Sequence, residues 1–130
     1  MFEIIKAMVL AIAIETGIPP YLALSIALEE NQTLNPLAVH INSDGSRDLG
    51  VMQLNDSWFK GQWQDPEANI RAGCALIKWL IQQPGITTYW DVAVSYNCGY
   101  GRFLKKPPDV SIEYANRVFS RWNVYRCYPN

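Results

Sequence analysis

Residues 40 to 58, HINSDGSRDLGVMQLNDSW, interrupt a chain that otherwise patterns as helix. Asp44-Gly45 is a hairpin turn signal, and the residues around it carry β-branched and turn-forming types with no helical stripe, so a small β ribbon is predicted there. The flanks are punctuated as helices. Glu15-Thr16-Gly17 ends a first helix with a glycine stop ahead of Ile18-Pro19-Pro20, and Pro20 opens a second that runs to about Asn31. Beyond the ribbon, Asp65 can cap a helix beginning at Pro66 and stopped by Pro84-Gly85. Ile70, Cys74, Ile77 and Ile81 share its apolar face, while Glu67, Arg71, Lys78 and Gln82 share the other. TTYWDVAVSYNCGYG gives a further helix running into a glycine-rich bend, KKPPD a stiff loop, and SIEYANRVFSRW a last helix with Ser111 as a possible cap. With 130 residues, the chain closes one core and is too short for two ordinary domains. The expectation is a single domain over 1–130, mainly α (α+β), with a small β ribbon.

Charge and composition exclude several classes. A net charge of −1 and a pI near 5.7 leave no basic field for nucleic acid or an anionic membrane. Ala7 to Ile14 imitates a signal-peptide core, but Glu3 spoils a positive leader and the glycine stop marks a helix end, so the segment is taken as a soluble first helix. It is too short to span a bilayer, and no stable membrane insertion is expected. Cys74, Cys98 and Cys127 allow at most one internal disulfide and lack the paired spacing of a zinc site; a bond through Cys127 and three free thiols are both open. His40, the only histidine, has no nucleophile nearby in sequence and is expected to be a hydrogen-bonded loop residue.

The stretch IALEENQTLNP sets two carboxylates at the end of an apolar run. On helical spacing, Glu29 lines up with Tyr21, Ser25 and Gln32 in a polar stripe that faces water. Glu30 stacks over Ala23, Ile26 and Ala27 at the edge of the apolar face. There the charged form is disfavoured and the group is suited to donate a proton near neutrality. The competing reading has Glu30 fraying outward from the negative end of the helix into solvent. The following loop and ribbon carry Asp44, Asp48, Gln53 and Asn55 past this helix end. Two carboxyls across a cleft are the usual apparatus for cleaving a glycosidic bond, which makes Glu30 and Asp48 a candidate pair, while Asp44 is explained by its turn and Asp48 could merely cap the hairpin.

EENQTLNPLAV, DLGVMQLN, VSYNCGYGRF and SIEYANRV, in that order, resemble the four motifs of soluble lytic transglycosylases, lysozyme-like enzymes that cleave peptidoglycan. The resemblance runs from the first helix to about Trp122. NSDGSRDLGVMQLN is also similar to the β hairpin of animal-type lysozymes, where the position of Asp48 is the second catalytic carboxylate. The resemblance implies a lysozyme-like helical domain with Glu30 as general acid and base and Tyr114 orienting it. It implies Met52, Gln53 and Asn55 along the sugar cleft, and Tyr96 and Asn97 beside the reacting sugar. The implied reaction closes a 1,6-anhydro ring on MurNAc and needs no metal or cofactor. The implied partner is the peptidoglycan glycan strand, met by a monomer at the cell wall in periplasmic, extracellular or phage-delivered form. The chain departs from the family pattern in having Asn31 for the usual Ser, one extra residue before Pro36, Leu34 for an aromatic, Cys98 for a small alanine, and Ser111 and Ala115 around Tyr114.

The remaining candidates are weighed singly. Tyr96 would be core in most proteins, and only Asn97 and the glycines after it suggest a ligand. Trp58 and Tyr100, in loops beside the motifs, are the aromatics expected to stack on sugar; Trp79 and Trp122 are expected in the core. Cys98 lacks a paired base, which excludes a cysteine protease. Two rival functions stand beside the transglycosylase: a hydrolysing muramidase using Glu30 and Asp48, and a glycan-binding or assembly protein without turnover.

Overall fold

The computed structural model describes residues 1–127. Its elements run α1 (Phe2–Thr16), α2 (Pro20–Glu30), β1 (Val39–Ile41), β2 (Arg47–Leu49), β3 (Leu54–Asn55), α3 (Pro66–Ile81), α4 (Tyr89–Cys98), α5 (Tyr100–Lys105) and α6 (Asp109–Cys127). Every residue of α2 from Leu22 to Leu28 is buried, so this helix is the axis of the domain, with α1 on one side and α6 on another. Its sequence explains that position, since Leu, Ala and Ile occupy all faces and each fully buried Leu or Ile contributes roughly 1.5–3 kcal/mol. Helix α1 adds Ile5, Val9, Ile12 and Ala13 to the core and ends at Gly17, whose φ of 84° closes the left-handed cap. Among the described residues, no helix is long and apolar enough to cross a membrane.

The punctuation of α3 and α4 is chemical. Asp65 caps α3 by accepting from the Glu67 amide, with Pro66 at the first position. Thr88 and Asp91 form a capping box at α4. Helix α6 starts two residues earlier than its sequence pattern suggests. Pro108 supplies the carbonyl that receives the Ser111 amide, so Ser111 lies inside the helix, buried, and does not cap it. The glycine-rich bend turns into the short α5, whose Tyr100 hydroxyl donates to the Pro84 carbonyl.

The ribbon is a three-stranded antiparallel sheet, β1-β2-β3, with His40 across from Asp48 and Asp48 across from Asn55. Asp44 accepts from the amide and hydroxyl of Ser46, while Gly45 takes the φ of 86° that the turn requires. Asn69 of α3 ties the sheet to the helices. Its Oδ1 receives the Met52 amide at 2.8 Å and its Nδ2 donates to the Leu49 carbonyl at 2.9 Å, both buried. Gly73, one turn on, leaves the space that the Met52 side chain fills; a β-carbon there would lie 2.6 Å from Met52 Cγ.

Two readings of single residues are corrected here. Trp79 is not core: it is 47% exposed, edge-on to Tyr100. Trp122 is buried as expected. His40 is on strand β1, not in a loop. The three thiols are free, with Cys74 buried, and burial pushes the Cys74 thiol up to about 12.

Candidate active site

The C-terminus of α2, the end of α4, the start of α5 and the sheet enclose a cleft of about 510 Å³ whose walls are mostly polar. Glu30, Asp48, Gln53, Asn55, Trp58, Tyr96 and Asn97 all line it. Seven residues drawn from four separate segments of the chain therefore meet at one place. Helix α2 delivers Glu30 because its last turn emerges from the core at the cleft. Burial leaves the carboxyl little water, and this raises it to about 8. The Tyr114 hydroxyl opposes the rise by donating to Glu30 Oε2 at 2.9 Å, while the negative charges of Asp48 and Glu29 add to it. With Oε2 occupied by Tyr114, Oε1 is the oxygen available to carry a transferable proton.

Two tyrosines back this carboxyl. Tyr114, from α6, is buried behind Glu30, and its hydroxyl is pushed well above the usual phenol range by burial and by the charge of Glu30. Tyr96, from α4, donates to the Met52 carbonyl at 2.7 Å and is raised by the same causes in the same order. Both phenols stay protonated at neutral pH and act as donors.

On the opposite wall, Asp48 Oδ1 receives Asn55 Nδ2 at 2.9 Å, and the same amide reaches Ser46 Oγ at 3.0 Å. Cross-strand register sets that contact, since Asp48 and Asn55 are paired on β2 and β3. Gln53 sits at a φ of 53° and donates its side-chain amide to the carbonyls of Gly50 and Ala38, which fixes it at the cleft edge. Asn97 accepts from the Ser111 hydroxyl at 2.6 Å, so the buried serine of α6 orients the asparagine. Trp58, 48% exposed, offers an open aromatic face on the rim.

Two expected cleft residues lie elsewhere. The Met52 side chain is fully buried against Gly73, and only its backbone serves the site, through Tyr96. Tyr100 is turned toward Trp79 and Pro84, away from the cleft lining. The polar stripe of α2 is also corrected. Ser25 is buried and donates to the Tyr21 carbonyl, and Glu29 is not in water: its carboxylate, 11% exposed, is ion-paired to Arg117 and Arg121 of α6.

Several contributors escaped the sequence reading. Asn31, buried, donates to the carbonyls of Asn35 and Gly50 and accepts from the Asn35 amide, knitting the loop after α2 to the sheet. Leu34 of the same loop is buried in the core at a φ of 52°. Asn42, Ser46 and Arg102 join the lining. The available signal was the density of Asn and Ser around the Asp44-Gly45 turn, more polar amide than a turn needs. Among the described residues, no group of three or more His, Cys, Asp or Glu side chains is placed to hold a metal ion.

A mainly helical domain with a small antiparallel sheet across a cleft, and a desolvated glutamic acid at the end of its central helix, has the lysozyme-like architecture. The chain belongs to the family described as Transglycosylase SLT domain, which matches residues 7–116. It is also similar to the invasion protein IagB of Salmonella typhi and of Salmonella typhimurium strain SL1344, each 29% identical over 108 residues that cover 75% of this chain. The chain spans 62% of the length of those relatives.

Proposed function

We propose that this domain is a peptidoglycan lytic transglycosylase with Glu30 as its single acid and base. The observation that carries the reading is the Glu30 carboxyl, raised to about 8 at the wall of a polar cleft and held by Tyr114. Such a group is protonated at neutral pH and suited to give its proton to a glycosidic oxygen. In the proposed reaction, Glu30 protonates the oxygen linking MurNAc C1 to GlcNAc, and that bond breaks with its electron pair leaving on the oxygen. The N-acetyl group of the sugar stabilises the positive charge at C1. The Glu30 carboxylate then takes the proton from the C6 hydroxyl of the same MurNAc, whose oxygen bonds to C1 and closes the 1,6-anhydro ring. Glu30 ends protonated, as it began, and no water is consumed. In this reading Tyr96 and Asn97 contact the reacting sugar, Gln53 and Asn55 lie along the strand and Trp58 is a stacking platform; all five line the cleft. Peptidoglycan as substrate places the action at the cell wall.

Asp48 favours a second reading. It lines the same cleft, and Asn55 holds one of its oxygens. With a second carboxylate, the domain would hydrolyse the same bond, as a muramidase does. Digestion of purified peptidoglycan by the wild type and by Asp48→Asn separates the two. The transglycosylase keeps its rate within a few-fold, whereas a two-carboxylate hydrolase falls by roughly 10²-fold or more. Saccharide binding with no cleavage by either protein would support the glycan-binding reading instead.

A further inference from the structure

Glu29 occupies the last turn of α2, one residue before Glu30, where the helix carbonyls disfavour negative charge. A carboxylate only 11% exposed there needs compensation, and α6 supplies it. Arg117 Nε donates to Glu29 Oε1, and Arg121 Nε donates to Oε2 at 3.0 Å. Tyr114, Arg117 and Arg121 stand at i, i+3 and i+7 on α6, so they form one stripe. That stripe grips both carboxyls at the end of α2: Tyr114 takes Glu30, and the two arginines take Glu29. Both arginines lie beyond residue 116, where the family match ends.

We propose that Glu29 is a positioning residue for Glu30, clamped by Arg117 and Arg121 so that α6 fixes the last turn of α2 and balances the charge beside the acid. The proposal rests on the reading of Glu30 as general acid and concerns how that acid is set. Glu30 faces Glu29 on its own helix, Asp48 on β2, Tyr96 on α4 and Tyr114 on α6. Glu29 and Asp48 each favour its protonated form. Glu113 adds negative charge near Arg117 and favours its charged form. Removing Glu29 takes away one negative neighbour and frees two cations, whereas removing the arginines bares the Glu29 charge against Glu30. The two changes act on Glu30 with opposite sign.

The test follows the Glu30 side-chain carboxyl by ¹³C NMR titration in the wild type, Glu29→Gln, the double variant Arg117→Gln/Arg121→Gln, and Arg117→Lys. Glu29→Gln is expected to lower the Glu30 midpoint by about half a unit to one unit. The double variant is expected to raise the Glu30 midpoint by a similar amount, and Arg117→Lys, which keeps the charge, to stay near the wild type. The alkaline limb of kcat on peptidoglycan moves with each midpoint. Thermal melts establish that each variant is folded, and Glu29→Gln alone decides the matter if the double variant does not fold. An unmoved or raised Glu30 midpoint in Glu29→Gln overturns the proposal, even where activity falls. The titration needs no substrate, so failure of the wild type to cleave peptidoglycan would refute the functional reading separately.

Discussion

As the proposed acid, Glu30 sets the expected pH behaviour of cleavage. A carboxyl near 8 gives its proton at neutrality and loses that capacity as pH rises through 8, so cleavage is expected to fall on the alkaline side with a midpoint near 8 in a kcat profile. Tyr114→Phe removes the hydrogen bond from the Tyr114 hydroxyl, which favours the carboxylate. The alkaline midpoint should therefore move upward, and kcat should drop roughly tenfold because the carboxylate formed during the reaction loses a donor. A downward shift would contradict the assigned role of Tyr114. Helical spacing made the burial of Glu30 over Ala23 and Ala27 legible in the sequence, but it misplaced Glu29 and Ser25. It was silent on direction. Met52 and Tyr100 stand beside cleft residues in the chain, yet one fills the notch at Gly73 and the other reaches for the Pro84 carbonyl. A polar stripe on a helix usually faces water, so the sequence points Glu29 there, and the arginines that cover it are 88 and 92 residues away.

Among elements, Asn69 ties the sheet to α3 through one buried amide with two hydrogen bonds. Asn69→Leu leaves the Met52 amide and the Leu49 carbonyl unpaired, at a cost of about 2–4 kcal/mol. Hydrogen exchange should report faster opening of residues 47–55 than of α1 and α2; uniform acceleration through the whole domain would show that the amide is not a local latch. The ends of α1, α2 and α3 were legible because Gly17, Pro20, and Asp65 with Pro66 act locally. The short α5 was not, because it depends on Gly99 at a φ of 88° and on the tertiary anchor at Tyr100. Asn69 was missed for the same reason: beside Ile70 it looks like a surface residue at the edge of an amphipathic helix, and only the returning sheet buries it.

For the whole molecule, an acid kept protonated in the folded state carries a stability cost that grows with pH. Unfolded, Glu30 ionises near 4.5; folded, near 8. The unfolded chain therefore binds fewer protons between these values, and folding stability declines as pH rises through that window, by a few kcal/mol in total. Glu30→Gln should raise the melting temperature above pH 8 and make no difference below pH 4; an equal effect at both ends would mean that the carboxyl is not desolvated. The fold class was legible because one ribbon breaks an all-helical pattern, and the site because its motifs fall at the ends of α2, β3 and α4, which the core brings to one cleft. The measurement that bears most directly on function is a digest of purified peptidoglycan by the wild type and by Glu30→Gln, with the glycan ends identified by mass spectrometry. The account predicts 1,6-anhydroMurNAc ends from the wild type and none from the variant. Reducing MurNAc ends from the wild type, or equal cleavage by both proteins, would contradict it.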